Sequence, residues 1–325
     1  MRIQDLHVLP KFRDGWSYLY VEHCKIDQEA KAIALHDKEG RVPVPCASLA
    51  LLMLGPGTSV THEAVKVLAD CGCLVAWCGE SGIRFYAQGM GENRASDKLL
   101  RQAKLCSEPD LRLQVVFKMY RMRFDELLPD DLTLQQIRGK EGIRVRETYA
   151  RMSRETGVEW KGRSYDRSNW HSADPVNRAL SAANSCLYGI CHAAIVSAGY
   201  SPGLGFIHTG KQLSFVYDIA DLYKVETTIP VAFRVAAKLT GNMEREARLA
   251  CRDIFEETRL LARIVDDIEQ VLAVPGAETT SMTMDLNADA ALPGGLWDPE
   301  TGEIVGGTNY GDPEREVSAD GRNDP

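Results

Sequence analysis

The spacing of apolar residues changes near residue 90, and this change constrains the fold more than any other feature of the chain. Before it, Tyr18–Val21 alternates in the manner of a β-strand, and Ser48–Leu54 is a short apolar run typical of a buried strand. After it, apolar residues recur every three or four positions, as on one face of a helix. The sequence therefore predicts a β-rich region followed by a helical region.

The predicted fold class is α+β, with a linker at Gly89–Asn93. We expect an N-terminal β-rich domain over residues 1–90, an all-α helical catalytic domain over residues 91–275, and a tail over residues 276–325. The tail lacks periodicity and is rich in small and polar residues, so we expect it to be disordered in isolation. The predicted helices of the second domain are Asp97–Cys106, Leu111–Leu128, Leu134–Thr156, Pro175–Tyr200, Ser214–Glu226, Ile229–Leu239 and Met243–Val274.

The net charge of −8 is unevenly distributed along the chain. The segment Gly276–Pro325 has 11 acidic residues and two arginines, a net charge of −9, so residues 1–275 carry a net charge of +1. The acidity is therefore confined to the tail. The folded body has room for basic patches, and a nucleic-acid partner is compatible with the low isoelectric point.

The nine cysteines are scattered, and residues 1–15 contain several charged side chains but no apolar signal-peptide core. We therefore expect reduced thiols and a cytoplasmic protein. Cys71, Cys73 and Cys78 are spaced like part of a zinc site, but they fall in a predicted buried strand without a second pair. The longest uncharged apolar stretch, around Leu187–Tyr200, is too short to span a bilayer, so no membrane role is expected.

The segment Gly205–Asp221, GFIHTGKQLSFVYDIAD, carries the clearest chemical signal. His208 lies in a predicted turn, and Ser214 is the predicted N-cap of the helix that follows. Asp218 and Asp221 are three residues apart and so share a face of that helix. Two carboxylates and an imidazole can hold a divalent cation. A capped surface helix with solvated acids and an incidental histidine would show the same spacing.

A second acidic candidate, Glu141, lies in the sequence RGKEGIRVR, with a glycine on each side and four bases close by. Glycine allows another molecule to approach the backbone closely, at a cost of about 1 kcal/mol per helical glycine. An acid among bases is often part of a surface ion-pair network. The alternative is a metal ligand set in a phosphate-binding surface.

Basic and aromatic residues suited to nucleic acid occur along the chain. A stripe of Lys and Arg follows a phosphate backbone, and aromatic rings stack on bases. Solvated helix faces and core packing are the alternative explanations. The basic candidates are Lys98, Arg101, Lys104, Arg112, Lys118, Arg121, Arg123, Arg245, Arg248 and Arg252. The aromatic candidates are Tyr165, Trp170 and Tyr188, with Trp16, Tyr18, Tyr20 and His23 in the first domain.

Short motifs of several common enzyme classes are missing from the sequence. It has no G-x-G-x-x-G after a predicted strand, no P-loop, no G-x-S-x-G and no H-E-x-x-H. No residue is marked as the partner for cysteine–histidine catalysis. These classes therefore have little support.

Four segments of the chain look like those of one protein family: Ser96–Lys104, Arg138–Gly142, Ala183–Gly189 and His208–Asp221. They resemble the CRISPR-associated integrase, the metal-dependent endonuclease of the spacer-acquisition step, and most of all its type I-E subgroup. The resemblance extends from about residue 10 to residue 275. A β-rich domain followed by a helical domain agrees with that family, whereas the tail matches it least.

The resemblance implies a Mg²⁺ or Mn²⁺ site formed by Glu141, His208 and Asp221. It makes Asp218 an auxiliary acid, and Lys211 a base that stabilises the reacting phosphate. The residues that it implies for DNA binding are Arg84, Arg138, Tyr165, Trp170, Tyr188, Lys211, Arg245 and Arg248.

One departure from the family pattern concerns the end of the DNA duplex. Family members brace that end with an aromatic side chain from the first domain, and the matching position here is His23. Histidine stacks less well than tyrosine, and its charge varies with pH. The resemblance also implies a homodimer that binds a small second CRISPR-associated protein. Together they would hold a short double-stranded DNA with splayed ends and join its 3′ ends to the repeat array by transesterification.

Two other functions are compatible with parts of the sequence. A stand-alone metal-dependent nuclease acting on branched DNA in repair would need no partner and would join no strands. A DNA-binding scaffold with a degenerate site would do no chemistry. The joint presence of Glu141, His208 and Asp221 argues against the scaffold.

Overall fold

A computed structural model describes residues 18–30, 32–46, 49, 51–79, 85–89, 96–163, 174–238, 242–276, 296–299 and 302–304. The chain consists of two compact units, residues 1–280 and residues 281–325. In the first unit a region of β-sheet precedes a region of helices, which confirms the predicted α+β class. The finer division at residues 90 and 275 stays a prediction.

The strands before residue 90 form two four-stranded sheets in the described part of the chain, with the orders β1-β5-β7-β8 and β4-β3-β2-β6. Strand β8 is antiparallel to β7, whereas β1, β5 and β7 are parallel. The elements are β1 (Tyr18–Val21), β2 (Lys25–Glu29), β3 (Ala32–His36), β4 (Arg41–Val44), β5 (Leu51–Leu54), β6 (Ser59–Val60), α1 (His62–Asp70), β7 (Leu74–Cys78) and β8 (Phe85–Gly89).

Strand β5 shows why the sequence has a continuous apolar run at this point. Leu51 and Met53 pack into the core of the helical region, whereas Leu52 and Leu54 pack into a separate core with β2, β3 and α1. Successive side chains of a strand point to opposite faces, so a strand covered on both faces loses its polar alternation. The sheet thereby joins the two cores of the unit.

The helices after residue 90 are α2 (Asp97–Ser107), α3 (Pro109–Arg121), α4 (Leu134–Thr156), α5 (Pro175–Ser197), α6 (Ser214–Ala220), α7 (Thr228–Ala237), α8 (Met243–Glu257) and α9 (Leu260–Leu272). Several predicted helices were too long, among them Pro175–Tyr200, which ends at Ser197. The predicted Leu111–Leu128 ends at Arg121, and the predicted Ser214–Glu226 ends at Ala220. The predicted Met243–Val274 is two helices, because Arg259 adopts a left-handed conformation with φ 49°.

Helix α5 is the central helix of the helical region and packs against α6, α7, α8 and α9. By length and composition it could cross a membrane, yet 61% of its most apolar window is buried inside the protein. A helix that is apolar on most of its circumference is expected when other helices surround it. Its apolar character is therefore explained by core packing.

Some basic residues of the predicted DNA-binding stripe instead fasten α9 to α2 and α3. Arg101 Nη2 donates to the carbonyl of Leu272 at 2.9 Å, and Lys118 Nζ donates to the carbonyl of Ala273 at 2.8 Å. The last carbonyls of a helix lack partners within it, and the helix dipole favours cations there. These two side chains therefore hold the fold together, which corrects their assignment to a free stripe.

The acidic tail contains one described element, an antiparallel hairpin of β9 (Leu296–Asp298) and β10 (Gly302–Ile304). Trp297 is paired with Glu303 in its register. The aperiodic sequence did not predict this hairpin, although Leu296–Trp297 stood out as an apolar island. The remainder of the predicted disordered tail lies outside the described residues.

His192 on α5 is half-buried, with its ring centroid 3.9 Å from that of Phe85 on β8. Burial lowers the pKa of His192 from 6.5 to about 4, so between these values the folded protein binds fewer protons than the unfolded chain. The contribution of the neutral His192 ring to the free energy of unfolding should therefore be fully present above pH 6.5 and should decrease as the pH falls towards 4. We expect a loss of about 2 kcal/mol between pH 7.5 and pH 5.

Urea denaturation at the two pH values tests this expectation. His192→Gln should remove about 2 kcal/mol of the pH dependence. An identical pH dependence in His192→Gln and the wild type would contradict the account.

Candidate functional site

Two side chains from neighbouring helices fix the loop between α5 and α6. Gln102 of α2 is fully buried, and its Nε2 donates to the carbonyls of Ser201 at 3.0 Å and Leu204 at 2.9 Å. Arg112 of α3 donates from Nη2 to the carbonyl of Phe206 at 2.8 Å. Arg112 was also a candidate for the basic stripe, and the structure places it inside this loop contact. The loop that carries the predicted histidine is thus anchored before it reaches the site.

Asp218 of α6 also holds this loop. Its side chain is fully buried and accepts hydrogen bonds from the backbone N–H groups of Phe206 at 2.6 Å, Ile207 at 3.1 Å and His208 at 2.9 Å. The same carboxylate lies 2.7 Å from His208 Nδ1. Bonds to a charged acceptor are about twice as strong as neutral ones. Asp218 therefore holds the loop and the ring of His208 in place, and its role as an auxiliary acid stays a prediction.

The ring of His208 is held through one of its two nitrogens, Nδ1. The side chain is 41% exposed, and the contact of Nδ1 with Asp218 leaves Nε2 available to a ligand. The hydrogen bond from Asp218 raises the pKa of His208, partial burial opposes this, and the charge of Asp221 adds to the rise. Histidines that bind metals commonly donate their other N–H to a carboxylate in this way.

Glu141 and Asp221 meet at one guanidinium group. Arg123 Nη1 lies 3.4 Å from Glu141 Oε1, and Arg123 Nη2 lies 3.5 Å from Asp221 Oδ2. Arg144 also binds Glu141 through two bonds of 2.8 and 3.1 Å, and Lys224 Nζ donates to Asp221 Oδ1 at 2.6 Å. Both acids are mostly buried, at 12% and 20% exposure. Helix α4 and the C-cap residue of α6, Asp221, thus bring together two of the three predicted ligands.

The donor set suits a hard divalent cation, since two carboxylates and an imidazole are ligands that Mn²⁺ and Mg²⁺ accept. Among the residues that the structure describes, no three His, Cys, Asp or Glu side chains are gathered closely enough to hold one ion. Basic side chains instead neutralise the acids. The predicted ligand set of Glu141, His208 and Asp221 therefore stays a prediction, with Glu141 and Asp221 joined through Arg123.

The other predicted residues occupy separate positions. Lys211 is exposed in the turn before α6, and Arg138 is exposed on α4. Arg245 is exposed and Arg248 half-buried on α8. The ring of Tyr188 lies edge-on to that of Tyr217 and 5.1 Å from Lys224 Nζ.

His23 is exposed in the first domain, where its φ is 52°. Arg84, Tyr165 and Trp170 lie outside the described residues, so their DNA-binding roles remain predictions from the sequence.

Sequence reasoning missed the roles of Arg123 and Lys224. Arg123 seemed to belong to a solvent-exposed stripe, but α3 ends at Arg121 and the side chain of Arg123 turns inward. No local pattern marks such a turn. Lys224 follows Asp221 by three residues, a spacing that favours ion pairs and could have indicated the contact.

Ser214 also differs from its predicted role. Leu213 is the N-cap of α6, and Ser214 is its first residue. Its hydroxyl accepts from the N–H of Lys211 at 3.1 Å and donates to the carbonyl of Lys211 at 2.8 Å. It therefore closes the turn that carries Lys211 rather than capping the helix.

Gly205 should be intolerant of any side chain. A Cβ at this position would lie 2.5 Å from the carbonyl oxygen of His208 and 2.7 Å from Ser214 Cβ. We expect Gly205→Ala to lower the free energy of unfolding by about 1–3 kcal/mol and to displace His208. Gly203→Ala is the matched control, because its Cβ would meet nothing closer than the carbonyl of Gln212 at 3.6 Å.

Thermal melting of the two glycine variants, measured side by side, checks this expectation. Equal melting temperatures for Gly205→Ala and Gly203→Ala would show that the loop is not packed as described.

Comparison with known proteins places this geometry in one family. The model of the family described as CRISPR associated protein Cas1 matches residues 118–248. The chain is 55% identical over 311 residues to CRISPR-associated endonuclease Cas1 2 of Thermus thermophilus. The aligned region covers 95% of this chain and 94% of that protein. It is 49% identical over 282 residues to CRISPR-associated endonuclease Cas1 of Geobacter sulfurreducens, covering 86% and 92%.

The fold agrees with these matches. The crystal structure of the TtCas1–DNA complex superposes with a TM-score of 0.75 at 57% identity, covering 82% of this chain and 99% of that chain. The matched residues 118–248 include Glu141, His208 and Asp221. Identity at this level over nearly the full length of both proteins shows that the chain belongs to the Cas1 family of CRISPR-associated proteins.

Proposed function

We propose that this protein is a divalent-metal-dependent DNA endonuclease and integrase of CRISPR adaptation, of the type I-E subgroup. It would join the 3′-hydroxyl ends of short foreign DNA duplexes to the repeat array by transesterification. The observation that carries the proposal is the convergence of Glu141 and Asp221 on one cation, Arg123, beside a loop that orients His208. Membership of a family whose relatives are named endonucleases supports the nuclease part.

The two carboxylates and the imidazole are assigned to holding Mg²⁺ or Mn²⁺. When bound, such a cation lowers the pKa of the attacking hydroxyl and spreads the charge that develops on the phosphoryl oxygens. Asp218 keeps the proton on Nδ1 of His208, so that Nε2 offers its lone pair. Glu141 and Asp221 supply the negative charge, and their helices hold them at a fixed separation.

Basic residues beside the site are assigned to the DNA backbone. Lys224 stays protonated, because burial lowers its pKa but the neighbouring Asp221 and Tyr188 raise it further, leaving a net rise. Lys211 lies in an exposed turn, from which its side chain can contact a phosphate. In the transition state, cations held here stabilise charge on the reacting phosphate. If water replaces the 3′-hydroxyl, the same groups hydrolyse the strand.

The wider DNA surface is proposed from exposed basic residues. The exposed residues Arg138 and Arg245 lie on α4 and α8, from which they can contact phosphates. A relative solved as a DNA complex supports this assignment. We further propose a cytoplasmic homodimer that acts with a small second CRISPR-associated protein on DNA with splayed ends.

A strand-transfer assay tests the proposed function. Purified protein, with and without the small partner, is mixed with a labelled short duplex and a supercoiled repeat-array plasmid in Mg²⁺, Mn²⁺ or EDTA. Label should join the plasmid only when metal is present. Cleavage without joining would favour a stand-alone nuclease of branched DNA, and binding without either reaction would indicate a scaffold.

A further inference from the structure

Arg123 differs from the other arginines that bind acids in this helical region. Its side chain is only 5% exposed, and its guanidinium carbon lies 4.8 Å from the ring centroid of Tyr120. Yet its contacts to Glu141 and Asp221 are 3.4 and 3.5 Å long. Hydrogen bonds between charged groups in proteins are normally about 2.7–2.9 Å. Arg123 is therefore buried without the close bonds that usually accompany burial.

Neighbouring arginines show what a close pair looks like. Arg144 holds Glu141 with bonds of 2.8 and 3.1 Å, and Arg178 holds Glu244 with bonds of 2.7 and 3.0 Å. In Arg123, by contrast, Nε and Nη2 are buried with no hydrogen-bond partner within the described part of the chain. A buried donor without a partner costs free energy. Arg123 therefore acts on the two acids mainly through its positive charge and less through directed hydrogen bonds.

That charge is needed when no metal is bound. Glu141 and Asp221 are mostly buried and come from different helices, so their mutual repulsion in a region of low dielectric would be large. A cation between them removes the repulsion. The guanidinium of Arg123 supplies this positive charge through long contacts. Breaking long contacts costs less free energy than breaking close ones.

We infer that Arg123 is a placeholder cation, occupying in the metal-free protein the position between Glu141 and Asp221 that a divalent ion takes. The inference rests on the proposed function, because it requires that these acids bind metal. Its consequence is competition, since metal binding must displace the contacts of Arg123 and overcome its positive charge. Arg123 thus lowers metal affinity while stabilising the metal-free fold.

Calorimetric titration with Mn²⁺ and thermal melting in EDTA and in Mn²⁺ test the placeholder role. Arg123→Met should bind Mn²⁺ about tenfold more tightly, because a full positive charge within about 4 Å of the acids is removed. Its melting temperature in EDTA should be lower than that of the wild type, and Mn²⁺ should restore it. The difference between the melting temperatures in Mn²⁺ and in EDTA should therefore be larger for the variant. If this variant does not fold, Arg123→Gln, which also removes the charge, should show the same tighter binding and the same wider gap between the two melting temperatures.

Arg121→Met is the matched control. Arg121 also lies beside an aromatic ring, Phe117, and pairs with an acid, Asp130, but that acid is not a predicted ligand. Its loss should lower the melting temperature equally in EDTA and Mn²⁺. Unchanged or weaker Mn²⁺ binding by Arg123→Met would overturn the placeholder role. Failure of the wild type and both variants to bind Mn²⁺ would overturn the metal-dependent function, and this inference with it.

Discussion

Under the proposed function, replacing His208 with alanine should reduce metal-dependent DNA cleavage and joining at least about a thousandfold. The variant loses a proposed ligand whose ring is oriented through the 2.7 Å contact between Nδ1 and Asp218. Asp221→Ala should have a similar effect by removing a carboxylate from the same site. Single-turnover rates on a labelled duplex in Mn²⁺ measure both losses.

The fold should survive the change at His208, because its side chain is 41% exposed and Asp218 keeps its three backbone donors. His62→Ala, an exposed histidine at the start of α1, is the matched control and should retain the wild-type rate. A folded His208→Ala protein that retains more than a tenth of the wild-type rate would contradict the assignment.

Asp218→Ala should be the most destabilising single change in the site. The carboxylate is fully buried and serves four hydrogen-bond contacts, so its removal leaves three backbone N–H groups and an imidazole without their acceptor. Loss of one partner from a buried charged network costs about 3–5 kcal/mol. Urea denaturation monitored by circular dichroism would measure the change in the free energy of unfolding.

Asp266→Ala on the exposed face of α9 is the control for that measurement, with an expected change within about 0.5 kcal/mol. If Asp218→Ala is insoluble, Asp218→Asn keeps the shape and should cost about 1–3 kcal/mol, because its amino group faces donors. A loss below 1 kcal/mol in both variants at Asp218 would show that this carboxylate does not anchor the loop.

Local patterns predicted much of the fold. The apolar period distinguished strands from helices, and Thr61, the predicted cap of α1, accepts a hydrogen bond from the N–H of Ala64. The helix Leu134–Thr156 has the predicted bounds. These features depend on residues near one another in sequence. The break at Arg259 was missed because a left-handed arginine carries no glycine or proline to mark it.

The site was only partly predictable for a related reason. The residue types in Gly205–Asp221 suggested a cation site, but spacing on a helix face cannot show which carboxylate is buried. Asp218 is turned inward by three N–H groups of its own loop, and Asp221 is turned towards Arg123. Arg123 is nearly a hundred residues away from Asp221, so their contact depends on how α3 and α6 pack.

We propose that Glu141, His208 and Asp221 bind one divalent cation. Anomalous diffraction at the manganese edge, from crystals of wild-type protein soaked in Mn²⁺, tests it most directly. The account predicts one strong peak in contact with all three side chains, and no such peak in Asp221→Ala. A peak at other residues in catalytically active protein, or none at all, would contradict it.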